Sequence, residues 1–348
     1  MACCGMISAR SAVPERFADS VRMDEVIVTG SRPAVNLRNL PMSVSVVEER
    51  QIERRFEPSL LPVLTEQVPG LFITGRGVMG YGVAAGAAGG MKIRGVGSEP
   101  TSGVLVLIDG HPQYMGLMGH PLADSYQSMN AERVEVVRGP ASILYGSNAM
   151  GGVVNIITKK GQADGVYNTA RLMYGSFNTL NVEVSNAVRK GKFNSFAALN
   201  YSHTDGHRKD MGFGGWGGYL KLGYDFTAHW KAFADVNLNH FAASNPGSVT
   251  APLIDNDALI TRGMTSFSLD NRYERTSGSL KFFYNFGYHK IDDGHSPGQP
   301  SPDYRFRSRD RMLGITAYQS YRLFTGNQTT LGADYQRSGG RAWNRYPN

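Results

Sequence analysis

From about residue 166 the chain repeats one pattern, segments of ten or so residues in which apolar and polar side chains alternate, separated by turn residues. Alternation with a period of two marks a half-buried strand. About nine strands are predicted, near 166–175, 179–188, 192–203, 215–226, 230–241, 262–273, 278–291, 307–324 and 328–338. Tight connections at RKGK, Thr227-Ala228, Arg275-Thr276-Ser277 and TGN alternate with long polar ones, about 204–214, 242–261 and 292–306. A soluble sandwich has no reason to keep that asymmetry, whereas an outer-membrane barrel has short periplasmic turns and longer outer loops. Gly, Asn and aromatic residues so spaced also occur in soluble β-proteins, so periodicity alone leaves both open.

Before residue 160 short apolar strands alternate with glycine loops and small helices. MSVSVV (42–47) precedes the charged EERQIERR, and SLLPVLTEQVPG places Leu60, Leu61, Leu64 and Val68 on one helical face before Pro69-Gly70 stops it. MKIRG, GVLVLIDG, ERVEVVRG and GVVNIITKK read as four further strands of a small α+β domain.

The stretch GRGVMG (75–80) has the glycine spacing of a dinucleotide fingerprint, but that reading needs a helix starting within the motif to hold the pyrophosphate. The following YGVAAGAAGGMKIRG is too rich in glycine for one, each glycine costing roughly 1 kcal/mol against alanine. The loop's purpose must come from its context.

Composition narrows the classes. Glycine is 42 of 348 residues, well above the ordinary share of roughly 7%, and charged residues are 19%, a balance that suits turn-rich β-structure. No window approaches the ~18 apolar residues of a membrane helix, which excludes a helical membrane protein and leaves a barrel open. Cys3 and Cys4 are the only cysteines, so no disulfide framework holds the fold, and the first twenty residues lack the apolar core of a secretory signal. The formal charge of +7 is spread along the chain without a basic block, which argues against nucleic acid and is compatible with anionic lipid or an anionic solute. No serine or cysteine motif completes a triad with Asp109 and His111, and no cofactor site is expected.

RVEVVRGPASILYGSNAMGGVVNIITKK (133–160) resembles the end of the plug domain of TonB-dependent outer-membrane receptors. The match continues upstream, in family order, through LPMSVSVVEERQIE, VPGLFITGRG, MKIRGVG and VLVLIDGHP. The resemblance implies a mainly β protein, a small α+β plug followed by antiparallel transmembrane β-barrel strands, about nine of a full set of roughly 22. The expected divisions are an N-terminal leader or flexible segment at 1–23, a TonB box and linker at 24–35, a plug at 36–160 and an incomplete barrel at 161–348. At roughly 19 residues per strand a closed barrel takes on the order of 420 residues past the plug, against the 188 present, so a C-terminally truncated receptor is expected.

The same resemblance assigns residues. DEVIVTGS looks like the TonB box, in which Asp24, Glu25, Val26, Ile27, Val28, Thr29 and Gly30 would bind the TonB-type energy-coupling protein. Its β-branched residues suit addition as a strand to a sheet edge. Arg94 in MKIRG and Arg138 in VEVVRG fall where the family places buried arginines between plug and barrel wall, which carboxylates should face. The stretch HPQYMGLMGHPLADSYQSMN (111–130) corresponds to an apical loop that contacts solute, with His111, Gln113, Tyr114, Met115, Met118 and His120 as its candidates. Imidazole and thioether there suit haem, cobalamin, an iron-siderophore or another metal chelate, or copper held directly, and equally suit a hydrophobic loop packed on the wall with methionine as filler. The expected activity is energised uptake of a scarce nutrient across the outer membrane, without chemistry on the solute. The alternative is a passive or adhesive barrel.

Overall fold

A computed structural model describes residues 6–10, 43–84, 87–145 and 147–346. The expected TonB box, Asp24 to Gly30 in the numbering above, lies outside the described residues.

Two sheets carry the architecture, one inside the other. The inner sheet is built from β2 (Ser43–Glu48), β5 (Val104–Ile108), β6 (His111–Pro112), β7 (Ala131–Arg138) and β8 (Gly152–Thr158), in the order β2-β7-β8-β5-β6. β5 and β8 run parallel and the remaining pairs antiparallel. Every residue of β5 and β8 is buried, which explains their continuous apolar runs. Helix α1 (Glu49–Glu53) follows β2.

Helix α2 (Leu60–Gln67) starts at Ser59, whose hydroxyl accepts from the Leu61 N–H at 3.3 Å, and buries Leu60, Leu61, Val63 and Leu64. It ends at Val68, before Gly70 turns the chain at φ 80° into the short pair β3 (Leu71–Ile73) and β4 (Met91–Ile93). The helix face, β3, β4 and the inner sheet share one apolar core, in which truncating a leucine to alanine costs about 2–5 kcal/mol. A third helix, α3 (Ser142–Tyr145), lies between β7 and β8.

The outer sheet holds the nine predicted strands: β9 (Gly165–Gly175), β10 (Thr179–Lys190), β11 (Phe193–Thr204), β12 (Phe213–Asp225), β13 (Trp230–Ser244), β14 (Ile254–Arg272), β15 (Thr276–His295), β16 (Arg305–Tyr321) and β17 (Thr329–Arg345). All pair antiparallel in sequence order, and β1 (Met6–Arg10) adds to the free edge of β9. That tenth strand was not expected. The strands also run further than predicted: β14 begins eight residues earlier, because alternation continues through Asn256, Ala258 and Ile260 on the buried side. The long connections shrink accordingly to 205–212, 245–253 and 296–304 and share one end of the sheet with the tight turn 176–178. Connections 191–192, 226–229, 273–275 and 322–328 lie at the other end, which is the periplasmic one by its short turns.

Along β15 the two faces separate cleanly. Leu280, Phe282 and Phe286 are exposed on the outside, while Lys281, Phe283, Asn285 and His289 are buried against the inner domain. Apolar side chains outside and polar ones within are the inverse of a soluble protein and fit a wall between lipid and a filled lumen. No described helix is long and apolar enough to cross a membrane.

Candidate functional site

The plug touches the wall along a chain segment that climbs one strand. At the hairpin between β5 and β6, Asp109 takes a left-handed conformation (φ 47°) before Gly110, and its carboxylate is buried. It accepts from Lys221 Nζ on β12 at 2.8 Å, from the Thr158 N–H at 3.0 Å and from the Thr158 hydroxyl. Burial alone would raise this carboxyl, but the Lys221 ammonium and these hydrogen bonds hold it below the usual range. Lys281 Nζ on β15 donates to the Asp109 carbonyl at 2.9 Å. Two positions along, Phe283 packs on His111, and two further Asn285 Nδ2 donates to the Pro112 carbonyl at 2.8 Å. The segment 109–112 thus follows the period-two inner face of β15 toward the outside.

Above this the apical loop is fastened by Asp310 of β16. Its carboxylate accepts from Arg262 Nη1 at 2.7 and 2.8 Å and from the Gly116 N–H at 2.7 Å, while Arg262 Nη2 donates to the Tyr114 carbonyl at 3.0 Å. Gly116 is there because nothing larger fits: a Cβ would stand 2.2 Å from the Arg311 carbonyl oxygen.

The glycine-rich loop beginning at GRGVMG meets the same end of the barrel. Buried Asp124 accepts from the Tyr81 N–H at 2.9 Å and the Gly82 N–H at 2.9 Å, and desolvation raises its carboxyl to about 6 despite these donors. Gly80, at φ 79°, would drive a Cβ to 2.4 Å from the Phe213 ring. Its conformation and close packing account for the glycine, and among the described residues no helix follows to cradle a phosphate.

The apical candidates are therefore divided. His111 is 1% exposed, pressed against Phe283, and burial with the nearby Lys281 charge lowers its pKa to about 3. Met115 is buried with Leu122, Phe241 and Ile260. Apolar packing on the wall takes up both of these side chains. Gln113 is half-buried, with Nε2 at 2.8 Å from Met264 Sδ, and the Tyr114 hydroxyl donates to Gln336 Oε1 at 3.0 Å. Met118, 45% exposed, stands at the tip beside Leu117, and His120 is half-buried with Nδ1 3.1 Å from the Pro121 carbonyl. Among the described residues no group of three His, Cys, Asp or Glu could hold a metal ion.

Arg94 is exposed, and Arg138 Nη1 donates to the Pro69 carbonyl within the plug at 3.2 Å. Neither makes an ion pair with the barrel strands among the described residues. Ion pairs run the other way, from the plug carboxylates of Asp109 and Glu53 to Lys221 and Arg171 of the barrel strands. Sequence carried a signal for the contact at Asp109: Lys221 in YLKLGYD and Lys281 in SLKFFYNF are charges at positions whose neighbours face lipid.

Comparison with known proteins agrees with this geometry. Residues 36–153 match the family model of the TonB-dependent receptor plug domain. The iron-regulated outer membrane virulence protein of Vibrio cholerae, in two strains, is 35% identical over 167 residues, covering 45% of this chain and 23% of its own. Among solved structures the ferripyoverdine receptor of Pseudomonas aeruginosa is similar with a TM-score of 0.70 at 15% identity, over 91% of this chain and 45% of its own. A copper transporter gives 0.71 at 15% identity (86% and 47%), and a siderophore receptor from Acinetobacter baumannii 0.68 at 16% (88% and 47%). The chain thus spans less than half the length of these relatives. Residues 36–153 are thus a plug domain of the TonB-dependent receptor kind, and the strands around it share the fold of the barrels in these solved receptors.

Proposed function

We propose that the intact protein is a receptor for active uptake of a scarce metal chelate, an iron-siderophore before haem, cobalamin or copper, driven by a TonB-type partner bound at residues 24–30. The observation that carries this reading is the plug segment 109–117, hydrogen-bonded from Lys281 through Arg262 to Asp310 along the inner wall. A plug so fastened fills the lumen, and a solute passes only when force displaces it. The relatives named for siderophores, iron regulation and copper support the solute class. Solute contact would fall to the tip at Leu117 and Met118, with His120, Gln113 and Tyr114 beside it, and the outer loops.

The test is accumulation of radiolabelled ferric chelates by iron-starved cells carrying the receptor gene, with and without residues 24–30. Loss of uptake on deletion is expected, while surface binding of the chelate persists. Uptake indifferent to the deletion would favour a passive barrel.

A further inference from the structure

Between the plug and the periplasmic ends of β12 to β16 lies a cavity of about 660 Å³. Its walls present nine Lys or Arg side chains against four Asp or Glu. The inner end is the Asp109 site, where two ammonium groups meet one residue but only one of them reaches its carboxylate. Lys221 holds that carboxylate at 2.8 Å, which leaves Lys281, 6% exposed, with the Asp109 carbonyl at 2.9 Å as its hydrogen-bond partner among the described residues. Asp235 and Asp270 approach Lys281 without reaching ion-pair distance among the described residues. The outer end is framed by Arg275 and Arg322, on adjacent periplasmic turns joined by the Arg322 N–H donating to the Arg275 carbonyl at 2.8 Å. Neither of these two arginines has a carboxylate within 4 Å among the described residues.

We propose that this cavity is a binding site for a small multivalent oxyanion, with Lys281 as its inner anchor and Arg275 and Arg322 at its mouth. Water-filled space walled by surplus cations concentrates anions, and a cation held away from bulk water attracts them more strongly than one on an open surface. Lys281, Arg275 and Arg322 all line this one cavity. The occupant the charge favours is a polycarboxylate solute on its way to the periplasm, and in this respect the inference rests on the uptake reading. Free phosphate offers the same oxygens from the periplasmic side.

The receptor, extracted from outer membranes into detergent, would be titrated calorimetrically with tricarballylate, a tricarboxylate without the hydroxyl that favours metal chelation, and in parallel with inorganic phosphate. Saturable binding of tricarballylate is expected, at least fivefold weaker in Arg275→Gln/Arg322→Gln and in Lys281→Gln, and declining as salt is raised. Because Lys281 is buried, the arginine pair, which lies on exposed turns, carries the test if Lys281→Gln fails to fold. Tighter binding of phosphate than of tricarballylate would identify a periplasmic ion and overturn transit of solute. Equal binding by all variants, or none by a wild-type receptor that still imports chelate, would overturn the site while leaving uptake intact.

Discussion

Phe283 of the barrel lies against His111 of the plug, their ring centroids 5.5 Å apart and their planes tilted by 51°. The contact keeps the imidazole away from water, and its Nε2 meets no hydrogen-bonding partner among the described residues. A proton there is opposed by burial and by the Lys281 charge, so the folded pKa lies near 3 against an ordinary 6.5. The unfolded chain therefore binds the proton first as pH falls. Stability from the neutral imidazole is complete above about pH 6.5 and is lost below it, by roughly 2 kcal/mol at pH 5. His111→Gln removes that dependence. The measurement is denaturant unfolding in detergent at pH 7 and 5, read as the difference between wild type and variant, in which the opposite contribution of Asp124 cancels. Equal losses in both proteins would refute the assignment.

Asp109 joins the plug to two barrel strands, and replacing it isolates a charge from its shape. Asparagine tolerates the left-handed backbone that Asp109 adopts, so Asp109→Asn leaves the turn intact while removing the counter-charge of Lys221 and one of the two acceptor oxygens. Breaking a buried pair by one partner costs about 3–5 kcal/mol, because the remaining ammonium is stranded. Asp109→Asn combined with Lys221→Met is expected to recover part of that loss. Denaturation of the single and double variants gives the coupling, and additive losses would show that the pair does not fasten the plug.

Met118 and His111 were equal candidates for solute contact in the sequence, and the structure separates them by exposure alone. Met118→Ala is expected to weaken chelate binding up to about tenfold, corresponding to some 1.4 kcal/mol of lost contact. His111→Gln should leave binding at pH 7 unchanged. Equilibrium binding to outer-membrane fragments distinguishes the two, and the reverse pattern would return the buried imidazole to the solute site.

The strands of the wall were legible because lipid outside and plug inside impose an apolar-polar alternation that needs no tertiary knowledge, as in SLKFFYNFGYHK. The order of plug motifs was legible for the same local reason. The burial of His111 and Met115 was not, because it depends on Phe283 in one case and on Phe241 and Ile260 in the other, more than a hundred residues away. Asp124 left no signal, since its partners are backbone N–H groups of a loop forty residues earlier.

Gly116 decides how closely the apical loop can lie on the wall. Its N–H reaches Asp310 at 2.7 Å only because no side chain intervenes, and an added Cβ would lie 2.2 Å from the Arg311 carbonyl, a backbone atom that cannot rotate aside. Gly116→Ala must lift residues 114–118, break the Gly116 to Asp310 hydrogen bond and loosen the bond from Arg262 to the Tyr114 carbonyl. Each lost bond to a charged group removes about 1.5–3 kcal/mol. The plug core, centred on Leu64 and Val106, is remote from this contact and should keep its stability. A spin label at Met118→Cys would report the change as increased mobility of the loop tip, with global unfolding little altered. An immobile tip in Gly116→Ala would mean that the loop is held from elsewhere, and that Asp310 does not position the solute-facing residues.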